Sequence, residues 1–218
     1  MARASITDVQ HTQETMIREY LREINVRLRA LGQVINLNDR DMWESLRFPA
    51  SNISLSGLGS PPATDTTFGW LLFDATATET IGLLAQMPHA WKEDSVITPH
   101  VHWCKSTAAA GLVQWRLEYR AVAQGSALPG AWTTIETDGA LAPATPDNDT
   151  QYEHLVSPFP DIDLDGFGIS DMLVMRLSRI GGDATYDTYG ADAAMMEFDI
   201  QYQRDARGSV NVYDKEGN

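Results

Sequence analysis

The sequence predicts a mainly β protein, an antiparallel two-sheet sandwich of the jelly-roll type, preceded by an N-terminal α-helix with a coiled-coil seam. Three observations lead to this prediction. Apolar residues near the N-terminus recur at alternating intervals of four and three, as in a heptad repeat. From residue 68 the apolar period changes to two, which is typical of half-buried strands. Polar, glycine-rich or proline-rich breaks separate several of about eight such stretches.

The N-terminal domain, residues 1–37, is predicted to be an oligomerising or docking helix that spans residues 8–37. Its seam consists of Ile17, Leu21, Ile24, Leu28, Leu31 and Ile35. With Leu21 at an a position, leucine is the commoner residue at a and isoleucine at d, a pattern that favours trimers or tetramers over dimers. We therefore predict a homotrimer. The alternative is a helix packed on its own β-domain, which would need a wider apolar face.

Residues 38–67 are predicted to form an ordered but irregular arm, because prolines and glycines interrupt any long element. The apolar residues Trp43, Leu46 and Phe48 distinguish this segment from a flexible Gly/Ser tether. We expect these three side chains to dock the arm on a surface, either of its own β-domain or of a neighbouring subunit.

Residues 68–218 are predicted to form the β-sandwich domain. Its clearest strands are 112–122 and 195–203, where apolar and polar residues alternate. In the second strand we expect Met196 and Phe198 to share the buried face. One-sided alternation indicates antiparallel strands with one face in solvent. The remaining strand candidates are residues 68–74, 79–87, 95–103, 131–137, 151–156 and 172–180.

The net charge of −14 excludes some partners. Residues 1–50 contain seven basic and seven acidic residues, so the whole excess of negative charge lies in residues 51–218. An acidic body repels phosphate backbones, and we expect no nucleic-acid binding. No apolar run is long enough to cross a bilayer, so we expect no membrane insertion. The first residues lack an apolar signal segment, so we expect synthesis in the cytoplasm.

Two histidines, His100 and His102, share one face of a predicted strand, a spacing that can chelate a metal. Cupins, which are jelly rolls, have a glutamate about four residues later, but here residues 105–107 are Lys, Ser and Thr. We therefore expect a packed or interface pair. If the pair does bind a metal, the alternative function is a cupin-like metalloenzyme.

Three aspartates, Asp161, Asp163 and Asp165, precede Gly166 at alternate positions, as at the start of an EF-hand calcium loop. The twelfth position is Met172 and not glutamate. The sequence therefore predicts weak calcium binding at most, with a solvated acidic turn as the alternative.

The sequence contains no nucleophile elbow, phosphate-binding loop or dinucleotide fingerprint, so we assign no catalytic residues and expect no enzymatic activity. Its tryptophans are Trp43, Trp70, Trp91, Trp103, Trp115 and Trp132. Most are flanked by strand patterns, and we expect core packing for them. A carbohydrate-binding platform is the alternative.

Several phrases resemble a family of tailed-bacteriophage virion structural proteins. They are WESLRFPASNI, QMPHAWKEDSVITPHVHW, VQWRLEYR, ISDMLVMRLSRIGGD and DTYGADAAMMEFDIQYQRDARGS. The resemblance implies a virion location as a head decoration, a head or neck fibre or a tail component, with other virion proteins as partners. We expect the helix and arm to attach the protein to the particle and the sandwich to face outward. The alternative function is a carbohydrate-binding jelly-roll module that attaches to a host-surface glycan.

Overall fold

The computed structural model describes residues 16–29, 42–55, 60–137, 150–205, 209 and 211–212. The chain forms two compact units, Met1–Asp41 and Met42–Asn218. In the first unit, residues 16–29 form the helix α1. The rest of the predicted helix, with Leu31 and Ile35, lies outside the described residues. No helix within the described ranges has the length and hydropathy of a membrane span.

Ten strands and one short 3₁₀ helix make up the described part of the second unit. The strands are β1 (Met42–Pro49), β2 (Ala63–Thr64), β3 (Leu71–Phe73), β4 (Glu79–Gln86), β5 (Ile97–Lys105), β6 (Trp115–Val122), β7 (Thr133–Glu136), β8 (His154–Pro158), β9 (Met172–Arg179) and β10 (Ala193–Arg204). The 3₁₀ helix, Ala50–Asn52, follows β1. Each of the eight predicted strand segments overlaps one of these strands.

The strands form two antiparallel sheets that pack as a sandwich. One sheet has the order β2-β3-β10-β5-β8, with β1 also paired to β10, and the other has the order β4-β9-β6-β7. Strand β3 pairs with β10, β4 with β9, β5 with β8 and β6 with β7, all antiparallel. This nested pairing is the topology of a jelly roll, and it confirms the predicted fold class.

Aromatic side chains fill the centre of the space between the sheets. Trp115 is fully buried and meets Phe73 edge-on, with ring centroids 5.0 Å apart. Trp103 also packs edge-on against Trp115, with ring centroids 6.4 Å apart. Core packing is thus confirmed for Trp91, Trp103 and Trp115, whereas Trp43 is 48% exposed.

The charged side chain of Arg179 is buried in the sandwich. Arg179 at the end of β9 is fully buried and donates two hydrogen bonds to the carboxylate of Asp187, at 2.9 and 2.8 Å. It also donates to the carbonyl oxygens of Phe73, Tyr189 and Ala191. A buried guanidinium is tolerated because each of these acceptors replaces a lost water contact.

The prediction of an irregular arm over residues 38–67 is wrong for residues 42–49, which pair with β10 along the full length of β1. The reason lies in β10, whose edge is covered by β3 only at Ala193–Met195. Strand β1 satisfies the remaining backbone groups of that edge. Leu46 and Phe48 pack against the core, so this segment is part of the sandwich.

A β-bulge interrupts β10 at Met196, just before Glu197 and Asp199. The register with β5 shifts between Met195 and Glu197, which leaves Met196 as the extra residue. Met195 is fully buried and Met196 only partly, so the predicted inward position of Met196 is wrong, while that of Phe198 is confirmed. After the bulge, Glu197 and Asp199 lie opposite β5 residues of the outer face.

Candidate functional site

Three aromatic side chains, Phe68, Trp70 and Tyr152, form an exposed group that we call the aromatic cluster. Phe68 stacks on Trp70 with ring centroids 4.4 Å apart and an interplanar angle of 21°. Tyr152 meets both rings edge-on at 6.2 Å. Phe68 is 55% exposed and Tyr152 is 54% exposed. The cluster therefore presents ring surface to solvent instead of to the core.

The loop between β2 and β3 positions two of these rings. The Asp65 carboxylate accepts a hydrogen bond from the Phe68 N–H at 2.7 Å, and the Asp65 carbonyl accepts one from the Gly69 N–H at 2.9 Å. Gly69 has a φ of +73°, which a residue without Cβ adopts at little cost. The sequence of this loop thus closes a short turn that holds Phe68 against Trp70.

The third ring comes from a residue with a strained backbone. Tyr152 has a φ of +62°, a conformation that is uncommon for a bulky side chain. Its N–H donates to the Lys105 carbonyl at 3.0 Å, and the neighbouring Gln151 side chain donates to the Ser106 carbonyl at 2.7 Å. Strain of this kind is found where the direction of a side chain matters.

A second group of polar side chains lies on the outer face of the six-stranded sheet. We call it the histidine cluster: His100 and His102 on β5, His154 on β8 and Asp199 on β10. The His100 Nε2 atom lies 2.5 Å from Asp199 Oδ1, and the His102 Nε2 atom lies 3.6 Å from Asp199 Oδ2. His102 also stacks on His154, with 2.9 Å between Nδ1 and Nε2.

The two β5 histidines have opposite electrostatic environments. Burial lowers the pKa of His100, but contact with the Asp199 carboxylate and its charge outweigh burial, so the pKa lies above its ordinary value. The pKa of His102 is lowered, first by burial and then by the neighbouring rings of His100 and His154, despite the opposing charge of Asp199. The cluster therefore combines one imidazole that favours a cation and one that favours the neutral form.

The structure does not bring the predicted calcium ligands together. Asp161 accepts a hydrogen bond from the Thr98 hydroxyl at 2.6 Å, and Asp163 accepts one from the Asp165 N–H at 3.0 Å. In the described part of the chain, the one set of histidine, cysteine and acidic groups at metal-binding distance is His100, His102 and Asp199. Asp163 and Asp165 lie in an acidic turn with a local hydrogen bond, whereas Asp161 is tied to β5 through Thr98.

The predicted seam of α1 is open along the described turns. Ile17, Leu21 and Leu28 are 59%, 53% and 58% exposed, and Ile24 is partly buried. An apolar stripe of this kind on a short helix needs a partner surface.

The sequence pointed to some residues of the aromatic and histidine clusters but not to the residues that they contact from distant strands and loops. The tryptophan count pointed to Trp70, but nothing in its neighbourhood identified Tyr152, which lies far away along the chain. The histidine spacing pointed to β5, but Asp199 reaches it only through the pairing of β10 with β5. The alternation of residues 195–203 was the one available signal, because it placed Asp199 on the outward face.

No family model and no curated protein matches the chain. Among solved structures, it is similar to the CBM35 from Cellvibrio japonicus Abf62, with 10% identity, a TM-score of 0.40 and coverage of 74% of this chain and 99% of that one. A family 35 carbohydrate binding module from an environmental isolate has 11% identity and a TM-score of 0.39, over 73% and 98%. Dimeric latent PorU from Porphyromonas gingivalis has 9% identity and a TM-score of 0.33, over 76% and 13%. Likenesses at this level assign no function to the chain.

Proposed function

We propose that the β-sandwich is a carbohydrate-binding module that stacks a sugar ring on the aromatic cluster. The observation that supports this is the exposure of Phe68 and Tyr152 beside Trp70, on two loops that hold the rings in place. Large exposed apolar groups that are fixed by their surroundings mark binding surfaces. The apolar C–H face of a pyranose packs on such rings, while its hydroxyls remain free for hydrogen bonds.

The same two loops offer polar groups to sugar hydroxyls. Thr66 and Gln151, which are close to Phe68 and Tyr152 in sequence, are exposed. The charge of the chain bears on which sugars can bind, since its net charge is −14. Because a strongly negative protein repels uronic-acid and sulfated polymers, we infer that the ligand is a neutral glycan. On this proposal the module is non-catalytic and serves attachment.

Binding to a panel of soluble neutral polysaccharides tests the proposal, with acidic polysaccharides as the comparison. Retardation of the native protein in polysaccharide-containing gels is expected for at least one neutral polymer, and Phe68→Ala should abolish it. Tyr186→Ala is the matched control, since Tyr186 is 41% exposed but lies outside the cluster. Failure of every polymer to retard the protein would contradict the proposal, as would equal retardation of the Phe68 variant.

A second candidate function is a structural component of a bacteriophage particle, assembled through α1. The specific observation in its favour is the exposure of Ile17, Leu21 and Leu28 along one seam of the helix. A second and third copy of the chain would bury these side chains against the same residues. Antibody labelling of purified particles tests the virion location, and particles without label would contradict it.

The two proposals are compatible. A single sugar stacked on one aromatic cluster binds weakly, because much of the interaction free energy is lost to ordering of the glycan. Joining several sandwiches through their helices would raise the overall avidity by roughly 10²–10⁴ without any new contact. An oligomeric attachment protein therefore has a physical use for both features.

A further inference from the structure

We propose that His100, His102 and Asp199 form a binding site for a divalent first-row transition metal, with Zn²⁺ as the best fit. Each residue offers one ligand atom, an imidazole nitrogen or a carboxylate oxygen, and the three atoms lie within 4.8 Å of one another. The Nε2 atoms of both rings face the Asp199 carboxylate. All three residues belong to paired strands, so the sheet register and not a loop fixes their positions. The site is separate from the aromatic cluster, and it does not depend on sugar binding.

Both rings have a hydrogen-bond partner at Nδ1, and their Nε2 atoms face Asp199, where we place the metal. His100 Nδ1 faces the Thr98 carbonyl at 3.4 Å, and a carbonyl can only accept, so the neutral ring carries its proton on Nδ1. His102 Nδ1 lies 2.9 Å from His154 Nε2, where it can donate its proton. In metal sites, a ligating histidine generally donates its other N–H to such a partner, which fixes both tautomer and ring orientation. His154 is thus a positioning residue.

Asp199 supplies the observation that points to a cation. Its side chain is only 9% exposed, and its Oδ1 atom accepts no hydrogen bond of normal geometry from the described residues. Yet Oδ1 lies 2.5 Å from His100 Nε2. A carboxylate oxygen and an imidazole nitrogen this close share a positive charge, either the Nε2 proton of a charged ring or a metal ion bound by both atoms. A bound metal takes the place of the Nε2 proton and leaves the Asp199 carboxylate paired with a positive charge.

The distances fit a metal after a small adjustment. In a tetrahedral zinc site, neighbouring nitrogen and oxygen ligands are separated by roughly 3.4 Å, given bond lengths of about 2.1 Å. The 3.6 Å between His102 Nε2 and Asp199 Oδ2 is close to this value. The His100–Asp199 separation needs to open by about 1 Å, which a side-chain rotation can provide.

The donor set selects the class of metal. Two imidazoles and one carboxylate suit zinc, cobalt, nickel or iron, whereas calcium and magnesium prefer oxygen ligands alone. Two of the ligands, His102 and Asp199, border an open groove of about 460 Å³. Its other lining residues are Ser45, Arg47, His154, Met196 and Glu197. Three protein ligands with a fourth position open to a groove leave room for water or a ligand group on the metal.

The test is a titration of the tag-free full chain, stripped with a chelator, with Zn²⁺ by calorimetry and with Co²⁺ by visible absorption. We expect one equivalent of either metal to bind. Asp199→Asn and His102→Gln should each weaken binding by about 10–100-fold or more. His89→Gln is the matched control, because His89 contacts Ser170 and not the cluster, and it should bind as the native protein does.

Circular dichroism establishes which variants keep the native fold. If Asp199→Asn does not fold, the partly exposed His102 provides the decisive variant. Saturable one-to-one binding that is weakened in the folded cluster variant and kept in His89→Gln supports the site. The proposal is overturned if neither metal binds saturably, or if the folded cluster variant binds as tightly as the native protein.

Discussion

Phe68 stacks nearly parallel on Trp70, with 4.4 Å between the ring centroids, although both residues lie in one short loop. In a jelly roll with a large aromatic core, these rings would gain free energy by packing between the sheets. They instead remain at the surface, held by the hydrogen bonds of Asp65. The loop therefore maintains an exposed ring surface, and this relationship is the basis of the proposed attachment function.

The helix seam leads to a prediction about assembly. Leu21→Asp combined with Leu28→Asp places charges in the seam, which costs several kcal/mol if the seam is buried between copies. Light scattering of the free protein should give the mass of a trimer for the native chain and of a monomer for the double variant. Asn25→Asp adds a charge to an exposed position outside the seam and should leave the mass unchanged. A monomeric native protein would remove the seam as an assembly device.

The buried ion pair leads to a prediction about stability. Arg179→Met leaves the Asp187 carboxylate buried without its main partner, so we expect the free energy of unfolding in urea to fall by about 3–5 kcal/mol. Arg116→Met is the control, since the Arg116–Glu136 pair is partly exposed and should contribute about 1 kcal/mol or less. Equal losses in the two variants would show that burial of the Arg179 pair is unimportant.

The single cysteine leads to a prediction about reactivity. Burial, assisted by the charge of Asp65, raises the pKa of the Cys104 thiol to about 11. At mildly alkaline pH the reactive thiolate is therefore scarce, and the side chain has no solvent-exposed surface. A thiol reagent should label Cys104 slowly in the native protein and rapidly in denaturant. Fast stoichiometric labelling of the native chain would contradict the position of Cys104 in β5.

The fold was predictable because most strands have one face exposed to solvent, which gives an alternating apolar and polar sequence. The period of two in residues 112–122 and 195–203 placed Trp115, Leu117 and Phe198 in the core, as the structure confirms. Strand β1 was missed because it lies among prolines and carries mixed side chains. Its partner is the free edge of β10, and the availability of an edge is a property of the whole sheet and not of the local sequence.

The sites were predictable only in part, because each depends on pairing between distant segments. His100 and His102 share a face by local geometry, but the third group of their cluster depends on the register of β10 after the bulge at Met196. A shift of one residue would turn Asp199 into the core. In the acidic loop, Asp161 accepts a hydrogen bond from Thr98 and Asp163 accepts one from the Asp165 N–H, and weak calcium binding there stays a prediction.

Stacking of a neutral sugar on the aromatic cluster can be measured by calorimetry. An oligosaccharide from a polymer that retards the native protein is titrated into the native chain, the Phe68→Ala/Tyr152→Ala double variant and the Tyr186→Ala control. Truncation of aromatic anchors in a binding surface generally costs about 2 kcal/mol or more, which exceeds a tenfold change in Kd. We expect at least this loss in the double variant and native affinity in the control. Native affinity in the double variant, with its fold intact, would contradict sugar binding at the aromatic cluster.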